Sequence, residues 1–288
     1  MPGSYVCTLA TNHALQDLQC FLKSLMLWNA SAPPTIYLFA DAAIAAAIPA
    51  MKYGGKIVVK EALNPYSGKT RLEMERIAVG EKTLWYEFQM EKLALLEWVF
   101  ASEATASEVG VFYLDADICF FGQLPAIPAG RDVAVSPHMI CKRDEAKYGA
   151  YNAGYVWMRS TEAVEAWRTA SKTSRFFEQA ALEVFDEAAW TGRIHTFPVQ
   201  NNYGWWRMFQ ADTDYPTLQK AWGLKRDPNS SGIVIGGLPL LSVHTHWVTG
   251  DYTTGAFNAF VRQILEKLAP RHDPAKRLLS IITDTLIR

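Results

Sequence analysis

Short apolar runs alternate along this chain with longer stretches in which apolar residues recur at helical spacing. Tyr5–Leu9 is an apolar run closed by Ala10-Thr11-Asn12, and it predicts a first strand. From Ala14 to Trp28, Leu15, Leu18, Leu22, Leu25 and Met26 mark one face of a helix. Pro33-Pro34 breaks the chain. Thr35–Phe39 then predicts a second strand ending toward Asp41, Ala42–Ala47 a short helix, and Lys56–Lys60 a third strand. The segment 64–78, with Lys69, Arg71 and Arg76, reads as a polar, basic surface loop or helix. Tyr86–Phe100 predicts a helix with Phe88, Leu95, Trp98 and Val99 among its apolar positions, and an apolar strand begins at Val111. Further strands are expected at 132–136, 155–158, 194–197 and 241–244, and helices at 161–169, 176–187, 257–268 and 274–287. Strand–helix–strand alternation implies an α/β protein, with a mostly parallel sheet flanked by helices. No repeat or long linker divides the 288 residues, so a single domain over 1–288 is expected.

The run Val111-Phe112-Tyr113-Leu114 carries two carboxylates, Asp115 and Asp117, at or just past its end. Residues two apart on extended backbone point the same way, so both carboxylates are expected to reach one point. Carboxylate oxygens suit a hard divalent cation such as Mn2+ or Mg2+. Open α/β sheets bind ligands outside the carboxyl ends of their strands. The residues alone leave two readings open: a metal that grips a diphosphate, or a polar turn after a core strand.

A formal net charge of −1 argues against a nucleic-acid partner bound by broad phosphate neutralisation. Cys7, Cys20, Cys119 and Cys141 form no C-x-x-C pair and no zinc spacing. Met1–Ala10 has neither a basic n-region nor a long apolar h-region, and no signal peptide is expected. No window approaches the roughly 18 continuous apolar residues of a membrane span, so a cytoplasmic protein is the expectation. Tryptophan is plentiful at ten residues, and flat aromatic surfaces suit the C–H faces of sugar rings. The cluster Gln200-Asn201-Asn202-Tyr203-Gly204-Trp205-Trp206 reads as an acceptor side built on Trp205 and Trp206, with core packing as the alternative.

Five segments, in order, resemble the nucleotide-sugar glycosyltransferases of the GT-A fold, and within them the glycogenin and galactosyltransferase-like family 8 group. They are Thr8-Leu9-Ala10-Thr11-Asn12, Glu91-Lys92-Leu93, Asp115-Ala116-Asp117, Tyr151-Asn152-Ala153-Gly154-Tyr155 and Leu241-Ser242-Val243-His244. The resemblance implies a GT-A, Rossmann-like sheet with a nucleotide-binding half over 1–120, an acceptor and metal-completing half over 121–255, and C-terminal helices over 256–288. It implies that Leu9, Thr11 and Asn12 lie at the nucleoside, Lys92 at the diphosphate, and Asn152, Ala153 and Gly154 at the sugar. Asp115 then serves both donor and metal. Asp117 and His244 complete the metal site. His246, two residues on, is the alternative ligand from the residues alone. Glu178 and Gln179 resemble the family's Asp-Gln pair at the reacting sugar, with Glu in place of Asp. Two further departures are Leu15, where an aromatic often meets the base, and Trp247-Val248-Thr249-Gly250, where Lys-Pro-Trp is usual.

The implied reaction moves a sugar from a nucleoside-diphosphate sugar, UDP-sugar favoured, to a carbohydrate or other hydroxyl acceptor, with retention at the anomeric carbon. A divalent metal would stabilise the leaving diphosphate. Neither a Gly-x-Ser-x-Gly elbow nor a phosphate-binding Gly-x-x-x-x-Gly-Lys-Ser/Thr loop is present. The rival functions are a non-catalytic carbohydrate-binding protein and a sugar-nucleotide pyrophosphorylase. Lys92, as a helix-surface residue, is expected to matter little for stability.

Overall fold

The computed structural model describes residues 4–287; residues 1–3 and 288, including the start of the N-terminal stretch read above, lie outside them. The strands that build the site are β1 (Tyr5–Ala10), β2 (Thr35–Ala40), β3 (Ile57–Glu61), β4 (Val111–Leu114), β5 (Ile118–Phe120), β6 (Val133–Pro137), β7 (Tyr151–Met158), β8 (Ile194–Thr196), β9 (Tyr203–Gly204) and β10 (Ser242–His244). The main helices are α1 (Leu15–Asn29), α2 (Leu84–Ser102), α3 (Thr161–Ser171), α4 (Phe177–Ala181), α5 (Tyr252–Leu268) and α6 (Asp273–Leu286). The central sheet has seven strands in the order β8-β6-β7-β4-β1-β2-β3. β1 is parallel to β2 and β4, β2 to β3, and β8 to β6; β7 runs antiparallel between β4 and β6. This is the mixed, mostly parallel sheet that the sequence pattern predicts.

Alternation along β1 separates two cores. Val6 and Ala10 point to the side covered by α1, α5 and α6, where Leu18, Phe21, Phe257 and Leu278 are buried. Cys7 and Leu9 point to the other side, where Leu93, Leu96, Val164 and Trp167 from α2 and α3 are buried. The chain winds outward from β1 to β3 and then returns past β1 to form β4. Strand order therefore reverses between β1 and β4, where such sheets open a crevice at their carboxyl ends. Leu9 and Asp115 stand on the two lips of that crevice. Among the described residues no helix is long and apolar enough to cross a membrane.

Two local expectations change. Asp117 is not two residues along an extended strand from Asp115: residues 116–117 form a turn, closed by the Ile118 N–H donating to the Asp115 carbonyl at 3.2 Å. The carboxylates converge because the chain turns there, not because of strand periodicity. The helix expected over 176–187 is α4 followed by a 3-10 stretch at Leu182–Asp186. The Trp167 indole donates to the Glu178 carbonyl at 2.6 Å, taking the acceptor that an α-helix would offer Leu182. Leu182 bonds instead to the Gln179 and Ala180 carbonyls, which tightens the turn.

A second, three-stranded sheet in the order β9-β10-β5 carries the chain past the turn. β5 is an edge strand, and unpaired edge groups must find partners when buried. α1 supplies them: Ser24 Oγ accepts from the Phe120 N–H at 3.0 Å, and Trp28 Nε1 donates to the Phe120 carbonyl at 2.8 Å. Asp17, Phe21, Ser24 and Trp28 form the stripe of α1 that faces this strand and the site. Ser24→Ala leaves the buried Phe120 N–H without a partner. It is expected to cost about 1–3 kcal/mol, read as a lower urea midpoint at unchanged slope.

Candidate functional site

Asp115, Asp117 and His244 converge, each offering a ligand atom within 4.8 Å of the others. His244 Nε2 lies 3.0 Å from Asp117 Oδ1 and 3.8 Å from Asp115 Oδ2. The oxygens of Asp115 divide their work. Oδ1 accepts from the Tyr113 hydroxyl at 2.7 Å and lies 3.6 Å from Lys92 Nζ, which leaves Oδ2 for the shared point. Burial alone would raise Asp117, but the imidazoles of His244 and His246 outweigh it and hold its carboxyl well below the usual carboxylate range. Two carboxylates and one imidazole suit Mn2+, and less specifically Mg2+.

The geometry requires a glycine at 154. Because β7 runs antiparallel to β4, its first residues meet the carboxyl end of β4, and the Asp115 N–H donates to the Gly154 carbonyl at 2.9 Å. Pairing between β6 and β7 slips here, from Val135 opposite Val156 to Ser136 opposite Asn152. A Cβ on Gly154 would lie 2.2 Å from Asp115 Oδ2 and 2.5 Å from His244 Cε1. Any side chain would fill the place where the ligand atoms meet.

A chain of amides fixes the histidine. The Gly154 N–H donates to Asn152 Oδ1 at 3.2 Å, which identifies that atom as oxygen. Asn202 Nδ2 donates to the same oxygen at 3.1 Å, so Asn202 Oδ1 faces His244 Nδ1 at 3.2 Å. The acceptor there requires Nδ1 to carry hydrogen and leaves Nε2 facing the carboxylates. Trp206 packs edge-on to the His244 ring with centroids 4.9 Å apart, and its Nε1 donates to the His138 carbonyl at 3.1 Å. Arg207, also buried, donates to Ser136 Oγ at 3.3 Å, and Asn202 shares that oxygen.

Lys92 and Glu178 form a buried ion pair at 2.7 Å, with 6% and 3% of their surface exposed. Burial pulls Lys92 down, but Asp115 and Glu178 outweigh it and keep the amine firmly cationic. Burial raises Glu178, against the pull of Lys92. The surface position expected for Lys92 is thus corrected. Lys92, Leu95, Leu96 and Val99 share the face of α2 that packs inward, a spacing legible in the sequence. Glu178 follows Phe177, whose φ of 43° is left-handed, a conformation that costs of order 1–3 kcal/mol outside glycine and concentrates at functional sites.

A cavity of about 320 Å³ opens over these groups. Leu9, Lys92, Asp115, Asp117, Glu178 and Gln179 line it. Thr11 is buried and is not among the residues that line it. Asn12 is exposed, with its backbone N–H held by Asp41 Oδ2 at 2.8 Å. Ala153 lies in the core, and Asn152 reaches Gln179 Oε1 at 3.5 Å. Trp205 and Trp206 are not brought to the cavity: Trp206 lies behind His244, and Trp205 is half-buried against the hydrophobic core and edge-on to Trp206. Sequence reasoning missed Asp17, Arg71, Trp85, Phe88 and Phe176, which do line it. Trp85 and Phe88 are one helical turn apart and stack at 5.4 Å, a spacing that could have flagged them.

No protein-family profile and no curated protein sequence matches the chain. Solved structures match its fold. A galactosyltransferase, LgtC, in complex with donor and acceptor sugar analogs, is similar with a TM-score of 0.52 and 14% identity, over 89% of this chain and 93% of that one. Mouse xyloside xylosyltransferase 1 gives 0.50 and 11%, over 88% and 99%. The glycosyltransferase GlyE of Streptococcus pneumoniae gives 0.51 and 15%, over 86% of this chain and 55% of that one. The chain has the GT-A glycosyltransferase fold that these proteins share.

Two outcomes follow from the geometry. Lys92→Met strands the Glu178 carboxylate and is expected to cost about 3–5 kcal/mol in urea denaturation, with partial recovery in the Lys92→Met/Glu178→Gln double variant. Burial also pushes His138 down to about 4 from its ordinary 6.5. Between those pH values the unfolded chain binds a proton that the folded chain refuses. The stabilisation is therefore complete above 6.5 and is lost as pH falls toward 4. Over that window the wild-type melting temperature should fall more steeply than that of His138→Gln; parallel curves would show that His138 is not the source.

Proposed function

We propose that this protein is a metal-dependent glycosyltransferase, moving a sugar from a nucleoside-diphosphate sugar to a hydroxyl acceptor. The observation that carries this is the convergence of Asp115, Asp117 and His244 beside the Lys92 amine. It occurs in the crevice where strand order reverses, on a GT-A fold. The donor set fits a divalent ion, and Gly154 keeps the meeting point free of side chain. When bound there, the ion would supply Lewis-acid neutralisation of the leaving diphosphate. No protein nucleophile is needed, and electrostatic stabilisation with positioning carries the rate.

The chain's own residues divide that work. Lys92 holds a fixed positive charge for the phosphates, and Glu178 keeps it in place. Because its carboxylate is taken up by Lys92, Glu178 is a positioning residue here. Gln179 donates to the Tyr148 carbonyl at 2.9 Å and presents its amide at the cavity, so it is the polar group assigned to the sugar. Leu9, Thr11 and Asn12 are assigned to the nucleoside, and a uridine nucleotide is the first donor to test. Trp85 and Phe88 supply the flat apolar surface for a sugar acceptor, a role that the positions of Trp205 and Trp206 support less well. The Glu178 carboxylate is taken up by Lys92 at 2.7 Å and is not poised as a base for an acceptor hydroxyl, which supports retention.

With Mn2+ present, one nucleotide sugar in a panel should raise the melting temperature, since a ligand that binds only the native state stabilises it. The same donor should be turned over to free nucleoside diphosphate. Asp117→Asn should remove turnover and lower the ion-free melting temperature modestly, because the imidazoles of His244 and His246 favour the carboxylate that the amide replaces. Full turnover by Asp117→Asn would refute the metal step. Proton NMR of the earliest product reads the anomer, and inversion would refute retention.

A further inference from the structure

His246, the alternative ligand from the residues alone, lies against the same carboxylate as His244. Its Nε2 is 3.4 Å from Asp117 Oδ2, while His244 Nε2 is 3.0 Å from Asp117 Oδ1. The two imidazoles therefore address the two oxygens of one aspartate; His246 stands outside the 4.8 Å cluster of Asp115, Asp117 and His244, and its exposed side chain would have to swing inward to join an ion there. Behind it, His246 Nδ1 lies 2.7 Å from Asp17 Oδ2. A carboxylate only accepts, so Nδ1 carries hydrogen and Nε2 is turned to Asp117. That is the division of labour that Asn202 imposes on His244, from an unrelated part of the chain.

Asp17 strengthens the case. It sits in the first turn of α1 at 8% exposure, and its Oδ1 has no hydrogen-bond partner. Burying a carboxylate with an orphan oxygen is costly and calls for an explanation. Asp17 and His246 both line the cavity, and the His246 side chain is 58% exposed there, open to an incoming ion. A carboxylate that fixes the far nitrogen of an imidazole is the usual support for a metal-binding histidine.

We propose that His246 is a further ligand of the ion held by Asp115, Asp117 and His244, with Asp17 fixing its ring and tautomer. This assignment rests on the metal-dependent function above and specifies its metal site. Two imidazoles with two carboxylates shift preference toward Mn2+ and the borderline ions, away from Mg2+, which favours oxygen ligands.

Metal binding to the full chain without donor tests this independently of catalysis. Pulsed electron paramagnetic resonance of bound Mn2+ counts coupled imidazole nitrogens. The wild type should show two, and His246→Ala and His244→Ala one each. By calorimetry, His246→Ala should lose at least about tenfold in Mn2+ affinity and less than about threefold in Mg2+ affinity. Asp17→Asn should lose about tenfold for Mn2+, the usual effect of removing a residue that supports a ligand. His246→Gln repeats the measurement if the alanine variant fails to fold. One coupled nitrogen in the wild type, or equal Mn2+ affinity in wild type and His246→Ala, would overturn the assignment and leave the proposed function standing. No Mn2+ binding by the wild type would overturn both.

Discussion

The site depends on one close approach, that of the Gly154 backbone to Asp115. Three things happen within that contact. The Gly154 carbonyl holds the Asp115 N–H, its own N–H sets the orientation of Asn152, and its missing side chain leaves the space in which Asp115 Oδ2 and His244 face each other. The approach is possible because β7 is the antiparallel member of a mostly parallel sheet. A parallel β7 would bring its first residues to the opposite end of β4. Strand direction thus decides whether the Asn-Ala-Gly segment can meet the aspartates.

Charge in the crevice is balanced by burial as much as by proximity. Asp115 sits between a tyrosine hydroxyl and a lysine on one oxygen and an open point on the other. Lys92 is in turn clamped by Glu178, which α4 presents after a left-handed entry at Phe177. Such a pair adds little net stability, since desolvation offsets the attraction, but it fixes where the positive charge stands. A lysine free in solvent would lose side-chain entropy each time it met a phosphate. Here that loss is already incurred on folding, which is the preorganisation that electrostatic catalysis needs.

The two halves of the chain contribute different parts. β1, α2 and β4 supply Leu9, Lys92 and the aspartates. The later half supplies Asn152, Glu178, Gln179, Asn202 and the histidines. They are joined through β5, whose backbone is held by Ser24 and Trp28 of α1 on one edge and by β10 on the other. The stripe of α1 that secures β5 also carries Asp17 to His246, so one helix face serves both packing and chemistry.

The sequence by itself determined the α/β architecture and the apolar strand that runs up to Asp115, because apolar periodicity and short motifs are local properties. It placed Asp115, Asp117 and His244 together through a resemblance, and the structure brings them within reach of one another. It could not decide what the tertiary structure decided. Asp115 and Asp117 converge through a turn, which depends on β5 folding back. Lys92 is buried because Glu178, 86 positions later, arrives to pair with it. Trp206 supports His244 from behind, whereas Trp85 and Phe88 reach the cavity, and aromatic composition is the same in either case. Asp17 meets His246 across 229 positions, and no local pattern carries such a contact. Local spacing fixes which face a side chain occupies; only the packing of distant elements fixes what that face meets.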